Sequence, residues 1–217
     1  MTRIKRQTLF RALIYTAGLL MLTVGVTLST KTGLGVYPPE SIPYALSIVF
    51  GWKFSNMVLV MYAVYVGLQF IIKGKHHQWK ELLQIPVSLA FSALLGWLGP
   101  LIPLHFELLW QNIAMMAVSV LFTGFGFALM VNMDVVPNPP DGLTYAVSEA
   151  LGKDLGFVKN IQDIVCVAAA AAIDLLTRGT LASVGIGTVM AVLLIGRMVA
   201  LVNRTLREKL RALAGLA

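Results

Sequence analysis

Long charge-free runs set the pattern of this chain. Ala12–Thr30 lies between Arg11 and Lys31, and Phe54–Ile72 between Lys53 and Lys73. Leu82–Leu104 follows Glu81, Leu108–Met133 runs between Glu107 and Asp134, and Gly179–Gly196 lies between Arg178 and Arg197. About 20 mainly apolar residues cross the hydrocarbon core as a helix, so each run predicts a span. A further span at about 155–177 is the exception, because it carries Lys159, Asp163 and Asp174. The pattern therefore predicts an all-α membrane protein with six transmembrane helices, at about 12–30, 54–72, 82–104, 108–133, 155–177 and 179–202. A basic amphipathic tail, 203–217, follows. In it Leu206, Leu210, Leu213 and Leu216 share a face opposite Arg207 and Arg211. It is expected to extend the sixth helix onto the inner leaflet.

Composition supports this reading. The chain is 58% hydrophobic and 12% charged, against about 25% charged in an average soluble domain. The net charge of +7 does not point to nucleic acid, because the bases flank apolar spans. With both termini inside, 14 Lys and Arg residues fall on the cytoplasmic side and three (Lys31, Lys53, Arg178) outside, as the positive-inside rule requires. The 19-residue run Ala12–Thr30 is too long for a typical signal peptide and no small-residue cleavage site closes it, so it is expected to stay as a span. The expected location is a bacterial cytoplasmic (inner) membrane. One cysteine, Cys166, excludes an internal disulfide and any multi-cysteine metal site.

The spans contain a repeat. Gly25 matches Gly126, and Leu28 matches Leu129. Pro38-Pro39-Glu40 matches Pro139-Pro140-Asp141, Tyr44-Ala45 matches Tyr145-Ala146, Ser47 matches Ser148 and Gly51 matches Gly152, all at an offset of 101 residues. Gly96 and Gly196 extend the correspondence to the third and sixth spans. The first copy is 1–104 and the second 105–217. Three spans per copy is an odd number, so the copies must be inverted relative to each other, a pattern of secondary transporters.

Each copy has a segment broken by Pro-Pro. Proline has no amide hydrogen and pushes the preceding residue out of helical geometry. Short helices are expected after the breaks, at 40–50 and 141–151, with Pro43 tolerated in a first turn. At about 1.5 Å per residue they reach roughly half-way through the hydrocarbon core, as re-entrant helices would. Gly33, Gly35, Pro38, Pro39, Pro139, Pro140, Gly185 and Gly187 are the structural or hinge candidates.

Glu40 and Asp141 have two readings, as caps of their own short helices or as cation-binding or proton-accepting groups at membrane depth. Asn160 and Asp163 share a helix face with Lys159 one turn away, and Asn56 and Asn160 occupy similar places in spans two and five. The substrate-binding candidates are therefore Glu40, Asp141, Asp163, Asn160, Asn56, Tyr44 and Tyr145. Asp174 is expected to pair with Arg178 four residues on. His76-His77 lacks a third ligand, so no metal site is expected there. Gly33-Leu34-Gly35 lacks the lysine and spacing of a phosphate loop. No catalytic constellation is visible, so neither an enzyme nor a cofactor is expected.

Gly33-Leu34-Gly35 followed by Pro38 and Glu40, together with Gly185-Ile186-Gly187-Thr188, resembles the YczE/YyaS/YitT family of bacterial membrane proteins over about residues 10–202. Where that family usually carries proline-tryptophan-aspartate, this chain has Pro39-Glu40. The resemblance implies a six-span bacterial membrane protein and names no substrate.

The leading expectation is a small secondary transporter for a cation or a proton-coupled solute, working by alternating access at the repeat interface. The alternatives are a substrate-binding subunit of a larger uptake system and a non-transporting scaffold. The expected partners are the lipid bilayer and a small-molecule substrate, with small-residue faces available for a homodimer, and no nucleic acid.

Overall fold

The computed structural model describes residues 3–76 and 78–216; His77 lies outside them. The described residues form eight α-helices: α1 (Arg3–Lys31), α2 (Pro38–Phe50), α3 (Phe54–Lys73), α4 (Gln84–Leu101), α5 (Leu109–Asn132), α6 (Pro139–Leu151), α7 (Leu155–Arg178) and α8 (Ile186–Ala214). Two short 3-10 turns, Gly74–His76 and Trp79–Leu83, join α3 to α4. Six helices are long and apolar enough to cross a membrane; α2 and α6 are the short ones. Large apolar side chains such as Ile71 and Leu176 stand on the outside, 77% and 87% exposed.

The short helices begin two residues earlier than the sequence predicts, with the Pro-Pro pair itself in the first turn. Proline suits that place because the first amides of a helix have no intrahelical acceptor. Both helices end on a left-handed glycine, Gly51 (φ 65°) and Gly152 (φ 59°), the conformation glycine adopts without penalty. The earlier start moves Pro43 past the first turn. Its missing amide would have bonded the Pro39 carbonyl four residues back. The Tyr65 hydroxyl of α3 donates to that carbonyl instead, at 3.4 Å. In α6 the carbonyl of Pro140 accepts from Gln162 Nε2 of α7 at 2.8 Å.

The sixth span starts at Ile186, seven residues later than expected. Gly179 ends α7 in a left-handed conformation, and Asp174 then holds the turn that follows. Its Oδ2 accepts from Ala182 N (2.8 Å), Ser183 N (2.7 Å) and Ser183 Oγ (2.7 Å). This corrects the expected Asp174–Arg178 ion pair, which is not among the ion pairs of the described residues. A carboxylate that is fully buried gains more from two backbone amides and a hydroxyl than from an exposed arginine.

α1 and α5 pack along each other at the centre, and α5 also packs on α8. α2 lies on α7, and α6 lies on α3. Glycines let the central pair approach. A β-carbon on Gly25 would fall 2.6 Å from Thr123 N and 2.8 Å from Ser119 O; one on Gly126 would fall 2.6 Å from Gly18 O and closer still to Leu22 N. Tyr15, Leu19 and Leu22 of α1 meet Tyr62 of α3 and Phe91 of α4 in the main core, where the Tyr62 and Phe91 rings stack at 5.5 Å. The C-terminal tail extends the sixth helix, as the sequence predicts. α8 continues unbroken to Ala214, and Leu210, Ala214 and Leu216 pack against the same core. Leu213, on the apolar face of the tail, is 52% exposed, so that face is only partly covered by protein.

α3 packs on α4, but α7 and α8 share no packed interface among the described residues. A large cavity opens there.

Candidate functional site

Two adjacent spaces form the site. The larger is a cavity of about 990 Å³. Asp141, Thr144 and Tyr145 of α6 and Lys159, Asn160 and Asp163 of α7 line its polar side; Met130, Val192, Ile195 and Val199 of α5 and α8 line its apolar side. Arg11, Lys73, Lys80, Glu81 and Glu149 stand at the end where the charged flanks lie. The smaller is a void of about 10 Å³, lined by Glu40, Tyr62, Thr123, Asn138 and Asp141 among others. Tyr37, Phe127, Asn138, Asp141 and Ile195 border both, so they form the partition.

A lysine organises the acids. Lys159 Nζ lies 2.9 Å from Asp163 Oδ1 and 3.7 Å from Asp141 Oδ1, and 5.3 Å from the centre of the Tyr37 ring. The first contact follows from i,i+4 spacing on α7. The other two depend on helices brought together by the fold. Beside it, Thr144 Oγ1 donates to Gln162 Oε1 at 2.7 Å. Across the cavity, Gln69 of α3 and Gln84 of α4 form a reciprocal amide pair at 3.1 and 2.8 Å, and Gln69 Nε2 also reaches the Pro139 carbonyl at 2.9 Å. A β-carbon on Gly142 would fall 2.9 Å from Gln84 Nε2, so this glycine seats α6 against the pair.

Glu40 sits behind the partition. It is 3% exposed. Tyr62 donates to its Oε1 at 2.8 Å, while its Oε2 has no hydrogen-bond partner in the protein. No side-chain hydrogen bond caps either short helix. Glu40 instead reaches across to α3, and Asp141 to α7.

The candidate residues divide. Glu40 lines the small void, Asp141 both spaces, and Asp163, Asn160 and Tyr145 the large cavity. Asn56 is exposed and borders neither space. Tyr44 packs edge-on against Phe54, with ring centres 5.4 Å apart, and borders neither. Among the glycines, Gly35 has φ 91°, and its segment is bonded to the start of α8: Gly187 N donates to Leu34 O at 2.7 Å, and Val36 N to Ser183 O at 3.1 Å. Gly33 also has positive φ, 64°. A β-carbon on Gly185 would fall 2.6 Å from Leu34 O.

Sequence reasoning missed Tyr37, Tyr62, Asn138 and the central place of Lys159. Only Lys159 left a signal, being a base inside a span with an acid four residues on. Among the described residues no group of three or more His, Cys, Asp or Glu side chains is placed to hold a metal.

Residues 9–204 match the model of a family described as a family of unknown function, DUF6198. The chain is 23% identical over 193 residues to "Uncharacterized membrane protein YczE" of Bacillus subtilis (strain 168), covering 88% of this chain and 85% of that protein. No solved structure matches.

Proposed function

This chain belongs to the DUF6198 family of membrane proteins, and we propose that it is a small secondary transporter built from two inverted three-span repeats. The observation that carries the reading is the lining of the small void. Leu22 and Thr123, Tyr37 and Asn138, and Glu40 and Asp141 all border it, and each pair is separated by 101 residues. A space bordered by equivalent residues of both copies lies on the axis that relates them.

The helix contacts support the same axis. Gly25 meets Ser119 and Thr123, and Gly126 meets Gly18 and Leu22. Shifting either set by 101 residues gives the other, with amide matched to amide and carbonyl to carbonyl. Such reciprocity is the mark of a two-fold contact. Likewise α2 lies on α7 as α6 lies on α3, and α5 on α8 as α1 on α4. Of the contacts without a counterpart (α3 on α4, α1 on α8 and α2 on α8), the first, which lacks its α7–α8 match, is where the large cavity opens. An asymmetric pair of repeats is what one state of an alternating-access cycle requires.

The basic flanks support an orientation with both termini and the mouth of the large cavity on the cytoplasmic side of the inner membrane. α2 and α6 enter from opposite faces as re-entrant helices, and their first turns meet at the void. The solute binds in the large cavity, its charged head at Asp141, Lys159 and Asp163 and its apolar part against α5 and α8. Two acids against one base favour a cationic or zwitterionic head.

A thermal-shift screen of the purified protein against small amines, amino acids and organic acids tests the reading, followed by counterflow in liposomes. A compound that stabilises wild type, loses its effect in Asp141→Asn, and exchanges across the bilayer is the expected result. Binding without exchange would make the protein a capture subunit. No binding by any compound would remove the transporter reading.

A further inference from the structure

The small void has a chemistry of its own. Two of its lining side chains carry buried oxygens with no protein hydrogen-bond partner, Glu40 Oε2 and Asn138 Oδ1. The residues are 3% and 7% exposed. Both oxygens are acceptors, and neither can satisfy the other. Buried acceptors are rarely left without a donor, because the lost solvation is not recovered. The void holds about one water-sized body, at about 10 Å³.

We propose that this void binds one monovalent cation, a proton or a sodium ion, between Glu40 and Asn138 and separate from the solute cavity. A proton bonded to Glu40 Oε2 turns that oxygen into a donor for Asn138 Oδ1 and removes the charge. A sodium ion takes both oxygens as ligands, which suits a hard cation. Charge balance separates either from a bridging water. Water satisfies the two acceptors but leaves the carboxylate uncompensated.

The groups around Glu40 cannot supply that compensation. Tyr37 on the approach to α2, Tyr62 and Tyr65 of α3, Asp141 of α6, and Lys159, Asp163 and Cys166 of α7 all influence it or are influenced by it. Lys159 is the base among them, and it is already shared by Asp141 and Asp163. The route in is the partition, since Asn138 and Asp141 border the large cavity as well. The site stands on its own; its role as the ion that drives solute movement rests on the transporter reading.

The test uses purified protein without any solute, so its failure leaves the solute screen untouched. In one arm, sodium chloride replaces choline chloride at constant ionic strength while the melting temperature is followed. In the other, infrared difference spectra across a pH titration look for a protonated-carboxyl band. A sodium-dependent rise in melting temperature that is absent in Glu40→Gln identifies sodium. A titrating carboxyl band absent in Glu40→Gln, with no sodium response, identifies a proton. Asn138→Ala is the second variant. It should weaken sodium affinity at least tenfold, or shift the carboxyl band by removing its acceptor. If wild type shows neither a sodium response nor a carboxyl band, the void holds water and the proposal is overturned. An Asn138→Ala protein with an unchanged signal would overturn it too.

Discussion

At the residue scale, the buried carboxylates differ in what holds them. Asp174 Oδ2 has three donors from the turn it closes, whereas Glu40 has one, the Tyr62 hydroxyl. Asp174 is therefore a stability residue. Asp174→Ala should destabilise by at least about 1.5 kcal/mol, since it strands buried amides that were bonded to a charged acceptor. Arg178→Gln should leave the melting temperature unchanged, where the expected ion pair would have made the two variants similar. Tyr62→Phe removes the donor to Glu40 while keeping the ring stacked on Phe91, and should cost about 1–3 kcal/mol, read by thermal melting in detergent. These partners were not legible in the sequence. Local spacing finds i,i+4 pairs such as Lys159–Asp163, but Tyr62 and Glu40 lie 22 residues apart and Asp174 and Ser183 nine apart. No periodicity links them.

At the scale of elements, the spans were legible because each apolar run is bounded by charges, and the short helices because Pro-Pro opens both. Their ends were less so. The start of α8 is set by Asp174 and the close passage of Gly185 under Leu34, and the tail is set by packing on α1; both are tertiary contacts. The α1–α5 crossing gives the sharpest test of an element. Gly126→Ala should destabilise by about 1–3 kcal/mol, because the added methyl must push against the α1 backbone. Gly67→Ala is the control: a β-carbon there meets nothing within 4 Å, and alanine is the better helix former. Melting temperatures of the two variants should move in opposite directions.

At the scale of the whole molecule, an offset of 101 residues was legible in the sequence, and the same offset relates residues around the small void. The difference between α3–α4 and α7–α8 was not, because it lies in tertiary packing that no local pattern records. Orientation and openness can be checked together. In a Cys166→Ser background, Asn160→Cys should react with a membrane-impermeant maleimide only from the cytoplasmic side, and Trp110→Cys only from the opposite side. Reaction of Asn160→Cys from the outside in resting cells would contradict the proposed orientation.

The bonds from Gly187 to Leu34 and from Val36 to Ser183 act as a mechanical tether. α8 forms the apolar wall of the large cavity, and its first turn is fastened to the chain just ahead of Tyr37. In the proposed alternating-access cycle α8 would act as a lever whose short arm ends at the partition. A swing of its long arm toward α7, closing the wide chamber, would pull on Gly35–Val36 and so on Tyr37 and Glu40. Two backbone bonds would then carry the closing of the large cavity to the small void.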